Sequence, residues 1–232
     1  MRWSLKQLRE DVQQVFGTDQ ERLLAPCLRS IDERRAFARY HHAETKRLLE
    51  AVTVDRTPIQ MVAWMLDSES PETTGFQSVR FHASAHVHAC VQSMHALADI
   101  LAHAVYYGLG MNLNPNLKLD ARTLNIKSVR DRLPSGAIRD QLTQLVDDAG
   151  FKYLAALVNH SKHRSLIAVP FSVDLSGEDA QQHGLKFGGF EYNGVKYPEQ
   201  WVAPALRQEY DRQEPHILGA GVALNAAVAA LR

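Results

Sequence analysis

Residues 78–107 read SVRFHASAHVHACVQSMHALADILAHAVYY. The stretch holds no Pro and no Gly, and Gly108 and Gly110 stand just past its end. At ~100° per residue from Val87, the residues Val87, Met94, Ala98, Leu101 and Val105 fall within about 40° of one line, the stripe of a core helix. Cys90 and Leu97 widen that stripe on one side. The adjoining flank carries His88, Gln92, His95, Asp99 and His103, while His82 and His86 lie one turn apart on the far side. A helix of ~30 residues rises ~45 Å, long enough for other helices to pack along it. Ser78 suits its N-cap and Gly108 a left-handed terminator.

Working outward, helical spacing continues on both sides. Leu5, Leu8, Val12, Val15 and Phe16 predict a first helix over 3–16, ended by Gly17. Pro26 is expected to interrupt the next stretch, and a second long helix to run from Ile31 to Val52. Its segment from Arg29 to Arg47 holds six Lys/Arg against three acids, the pattern of a solvated face laced with i,i+4 ion pairs. Thr57 and Pro58 read as N-cap and first position of a helix ending near Ser68. A Pro/Thr/Gly loop is expected from Glu69 to Gly75. Beyond the turn-rich 108–116 come shorter pieces over 117–132 and 137–148, the latter ending in Asp147 and Asp148, read as solvated. A helix over 150–163 follows, with Phe151, Leu154, Ala155 and Val158 inward.

The period then changes to that of strands. Leu166 to Leu175 is β-like, with Pro170 marking an edge or bulge. Leu185–Tyr192 and Val195–Tyr197 flank Asn193-Gly194, a two-residue hairpin signal. Residues 199–232 return to helix, broken or kinked near Pro215, and their Ala/Gly-rich end permits close packing within the chain or across a dimer. The fold expected is mainly α: a helical bundle around one long central helix, with a small antiparallel β hairpin sheet near the C-terminus. One domain spans 1–232, with the bundle over 1–164, a β insertion over 165–198 and a returning helix over 199–232.

Bulk numbers bound the function. The 232 residues are 45% hydrophobic with zero formal net charge, which fits a globular chain and argues against broad capture of nucleic acid while allowing a local basic patch. Two cysteines in different elements fit reduced, packed thiols and a cytoplasmic setting. The N-terminus lacks the apolar core of a signal peptide, and the apolar run 217–231 is short for a membrane span. No P-loop, dinucleotide fingerprint, nucleophile elbow, HExxH or paired CxxC occurs, so no cofactor is implied.

Histidine is in excess, with 11 in the chain. On the central helix, His95, Asp99 and His103 repeat at i,i+4, a spacing that can hold a transition metal if further ligands arrive from elsewhere. The second constellation is Asn159-His160-Ser161-Lys162-His163-Arg164. Asn159 and His163 are one turn apart, and His160 and Arg164 form another i,i+4 pair. Lys162 and Arg164, with His160, could hold phosphate while His163 moves a proton. The same residues would also suit a helix C-terminus, where cations complement the dipole and cap carbonyls.

A mainly helical chain with a long core helix and a later helix ending in this cluster resembles the HEPN superfamily. The resemblance implies a helical bundle, a homodimer, and metal-independent RNA cleavage or RNA binding. Family members that cut RNA carry an Arg, then a polar residue, then a His. Asn159 and His163 match the last two; Val158 stands before Asn159, and the nearest arginine, Arg164, follows the histidine. The resemblance casts His163 as general acid/base, Asn159 as the group orienting the scissile phosphate, and Lys162 and Arg164 as phosphate ligands. The alternatives are a non-enzymatic helical interaction or regulatory protein, and a metal-binding bundle using the central-helix histidines.

Overall fold

The computed structural model describes residues 3–67, 71–177 and 181–232. Helices dominate: α1 (Leu5–Phe16), α2 (Thr18–Thr53), α3 (Pro58–Leu66), α4 (Pro71–Gly108), α5 (Ile126–Arg132), α6 (Ala137–Val146), α7 (Ala149–His163) and α8 (Val202–Ala229). The strands β1 (Phe171–Val173), β2 (His183–Phe187), β3 (Phe190–Tyr192), β4 (Val195–Tyr197) and β5 (Gln200–Trp201) lie between α7 and α8. The chain is thus mainly α, with small antiparallel sheets near its C-terminus. Among the described residues no helix is long and apolar enough to cross a membrane.

The stripe read from Val87 to Val105 is buried throughout, along with Cys90 and Leu97. The helix that carries it starts about two turns earlier than its N-cap signal suggested. Ser68 and Glu69 lie outside the described residues, but Pro71–Gly75, expected as loop, belong to α4. Proline is tolerated in a first helical turn. Thr73 donates to the Trp64 carbonyl at 3.1 Å. Phe76 packs against Trp64 at 4.2 Å between ring centroids and meets Phe171 edge-on at 5.1 Å. Burying one such ring is worth ~1.5–3 kcal/mol, which outweighs the ~1 kcal/mol that Gly75 costs a helix.

Two further expectations are corrected. Pro26 does not interrupt α2 and Pro215 does not break α8: each helix runs through its proline. Both prolines are exposed, where water can serve the backbone carbonyl that a proline cannot. Gly108 ends α4 in helical form, and the left-handed residue is Gly110, at φ 62°. Gly108 is small for another reason, since a Cβ there would meet Leu224 at 3.1 Å.

The chain divides into two compact units. The first comprises Met1–Ala36, Ser93–Lys152 and Glu209–Arg232. Its core includes Leu8, Leu24, Met94, Leu101, Leu142 and Leu224, all buried. Gln20, also buried, exchanges hydrogen bonds with Asn112 at 2.7 and 2.9 Å, tying α2 to the turn after α4. Trp3 lies where a Cβ on Gly221 would project, so this glycine serves packing within the unit. The second unit comprises Phe37–Gln92 and Tyr153–Gln208. Met61, Phe76, Val87, Leu157, Leu185 and Phe187 form its core.

In the second unit the strands make two sheets instead of one. β1-β2-β5 is antiparallel, with Phe171 opposite Leu185 and Lys186 opposite Trp201. β3 and β4 form a separate hairpin, with Tyr192 opposite Val195. The expected strand Leu185–Tyr192 is divided at Gly188-Gly189; Gly188 still donates to the Ala168 carbonyl at 2.9 Å, in register with the β1–β2 pairing, before the chain enters β3. Asn193 and Gly194 have φ of 52° and 77°, both left-handed, as a tight two-residue hairpin requires.

Candidate nucleic-acid interface

Helix α7 presents three faces, and each group of the Asn159–Arg164 cluster has its own surroundings. Leu154, Leu157 and Val158 are buried. On a second line, Tyr153, His160 and Arg164 fall within about 40° of one another at ~100° per residue. This line meets the β3–β4 hairpin. Tyr153 contacts Phe190 and Tyr197 edge-on, at 5.7 and 5.8 Å between centroids. Phe190 and Tyr197 stack on each other at 4.9 Å. Burial pushes the Tyr153 phenol up to about 12.

The last turn of α7 locks onto the same hairpin. His160 meets Phe190 and Tyr192 edge-on at 5.7 and 6.4 Å, and its Nδ1 lies 2.9 Å from the Ser165 carbonyl. Arg164 caps the helix with its backbone N–H to the His160 carbonyl at 2.9 Å. Its guanidinium lies 5.1 Å from the Tyr192 ring centre, and Nη1 donates to the Glu191 carbonyl at 3.4 Å. His160 and Arg164 are therefore braced.

Asn159, Lys162 and His163 differ. Their side chains make no hydrogen bond or ion pair with the described residues. Lys162 and His163 are exposed and Asn159 is half-buried. The cluster thus offers two unpaired polar groups and an imidazole beside a cation held over an aromatic ring. Val158, at the position where an arginine would precede Asn159, faces the core with 1% exposure. The cations next to His163 are its sequence neighbours Lys162 and Arg164.

The central-helix histidines are engaged separately. His95 stacks on Phe151 at 5.7 Å. Asp99 Oδ1 accepts the Ile126 N–H at 3.0 Å, at the start of α5. His103 Nδ1 lies 2.8 Å from the Asp99 carbonyl. Among the described residues no group of three or more His, Cys, Asp or Glu side chains could hold a metal ion. His86 pairs with a residue of α2: its Nδ1 is 2.8 Å from that of His41. Desolvation, followed by the repulsion of His86, lowers the pKa of His41.

Sequence reasoning missed the hairpin's contribution to the cluster. Its signal was the aromatic alternation Phe190, Tyr192, Tyr197 around Asn193-Gly194. It also missed the His41–His86 pair, whose signal was the His41-His42 doublet on α2. Asp147 and Asp148, read as solvated, are exposed, and each also pairs with an arginine, Arg130 at 3.0 Å and Arg212 at 3.2 Å. Comparison with protein-family models, with curated proteins and with solved structures finds no match for this chain.

Proposed function

We propose that the protein is an HEPN-like RNA-binding module whose RNA surface is the end of α7 together with the β3–β4 hairpin. The observation that carries this reading is the pairing of unpartnered Lys162 and His163 with Arg164 held over Tyr192. Single-stranded RNA is held by cations that track its phosphates and by planar groups on which its bases stack. A helix end with one braced and one free cation, next to an aromatic hairpin, supplies both. Lys162 and Arg164 contact phosphate, His160 and Arg164 keep the hairpin in register with α7, and Tyr192 offers a stacking face.

A second reading is supported by the exposure of His163 one turn from Asn159. In metal-independent cleavage the 2′-hydroxyl attacks the adjacent phosphorus as the bond to the 5′-oxygen breaks, leaving a 2′,3′-cyclic phosphate and a 5′-hydroxyl; His163 takes the 2′-hydroxyl proton or supplies one to the leaving 5′-oxygen, and Asn159 orients the phosphate. Lys162 and Arg164 would stabilise the transition state.

The test uses a fluorescently labelled single-stranded RNA in chelator, followed by anisotropy and by gel. Wild-type protein is expected to bind, and Lys162→Ala with Arg164→Ala to weaken binding by tenfold or more. Product bands that vanish in His163→Ala add the cleavage step. Equal affinity of wild type and the double variant refutes the binding surface.

A further inference from the structure

The His41–His86 pair has no part in the proposed RNA surface, and it joins α2 to α4 within the second unit. The contacts along these two helices run antiparallel. The buried Cys90 thiol donates to the Ala38 carbonyl at 3.3 Å, and the buried Thr45 hydroxyl reaches the Ala83 carbonyl at 3.5 Å. Between them, His41 and His86 meet at the rim of the helix pair, each half-buried. Their Nδ1 atoms are 2.8 Å apart and their ring centroids 5.1 Å. The Tyr40 ring lies edge-on to both, at 5.2 and 6.1 Å.

Two imidazole nitrogens at this distance hold one proton between them, so one ring donates and the other accepts. The donating ring keeps a free lone pair on its outer nitrogen, Nε2. A first added proton goes there, and the hydrogen bond survives in charge-assisted form. The accepting ring already carries a hydrogen on its own Nε2, so a second added proton has only the accepting Nδ1 left. Taking it turns the acceptor into a donor, removes the bond and sets two like charges face to face.

The surroundings decide which ring takes the first proton. Glu44, gripped by Arg47 at 2.8 Å, attracts a charge on His86. Burial and then the charge of His86 both oppose a proton on His41. Around the α2 axis, Arg39 and His42 point ~160° and ~100° away from His41. On α4, His82 lies one turn before His86 and within ~40° of it, so its charge adds to the repulsion in acid, while Arg80 points ~120° away. His88 is turned to the Ile167 backbone.

We propose that His41 and His86 form a proton-operated clasp between α2 and α4, with His86 donating and His41 accepting, closed while the pair holds at most one added proton and opened by the second. Opening loosens the turn of α2 around His41 from the turn of α4 around His86.

The experiment follows the imidazole nitrogens of the full chain by NMR from neutral to acid pH, with amide hydrogen exchange measured at both ends. The pair is expected to titrate in two separated steps. The through-space contact between the rings should survive the first step and vanish at the second. Amides of 38–45 and 83–90 should then exchange several-fold faster, the size of one net hydrogen bond. Both rings are half-buried at the rim, so His86→Phe leaves the core intact. In that variant His41 should titrate in one step, closer to ~6.5, and the extra acid-induced exchange in the two segments should disappear. Glu44→Gln should lower the first step of the wild-type pair. A single unsplit step for both rings, a ring contact that persists once both are charged, or a His41 titration unmoved by His86→Phe would overturn the proposal.

Discussion

Single side chains set this protein's response to pH and its most sensitive substitutions. Desolvation lowers the pKa of His41, His88 and His216 alike. In the unfolded chain these groups return to ~6.5. The fold therefore resists protons that the unfolded chain accepts, and the stability they contribute is present above pH ~6.5 and lost as pH falls. Urea midpoints should drop between pH 7.5 and pH 5, and His88→Gln should flatten the slope. A second residue-scale prediction concerns Glu209, which is buried. Arg212 grips it with Nε and Nη2, each at 2.7 Å, and Gln213 donates to it at 2.8 Å. Truncating one member of such a pair strands the other charge. Arg212→Ala should cost ~3–5 kcal/mol in chemical denaturation. Replacing both residues by apolar ones should cost less than the single change. The sequence showed Glu209, Arg212 and Gln213 one turn apart, but this spacing alone does not separate a buried network from a solvated face.

At the scale of elements, local signals were read correctly where the backbone itself demands a residue. Thr57 caps α3 and Pro58 opens it, as read, and Asn193-Gly194 turns its hairpin. They failed where tertiary contacts override propensity, as in the first turns of α4, and at the exposed Pro26, through which α2 continues. Two helical glycines make the distinction measurable. A Cβ on Gly75 would meet nothing within 4 Å, whereas one on Gly221 would run into the Trp3 ring. Gly75→Ala should stabilise by ~0.5–1 kcal/mol through the unfolded state. Gly221→Ala should destabilise by ~1–3 kcal/mol through overpacking, and Trp3→Leu should relieve that penalty in the double variant. Thermal denaturation of the four variants separates the two cases.

For the whole molecule, fold class was legible from periodicity, because burying a helical stripe or alternating a strand leaves a pattern in any sequence. The candidate surface was legible only in part. Asn159, Lys162, His163 and Arg164 are contiguous and were visible; their division into braced and unpaired groups depends on a hairpin about thirty residues further on. Zero net charge likewise conceals local charge: the arginines of α2 are largely matched, with Arg35 paired to Glu214 and Arg47 to Glu44, while Lys162 is unmatched. The central claim is that Lys162 and Arg164 neutralise RNA phosphates, and the salt dependence of affinity tests it most directly. For single-stranded RNA each neutralised phosphate contributes about −0.7 to the slope of log affinity against log salt. The account predicts that Lys162→Ala with Arg164→Ala makes the wild-type slope shallower by about 1.4. Equal slopes for the two proteins would contradict it.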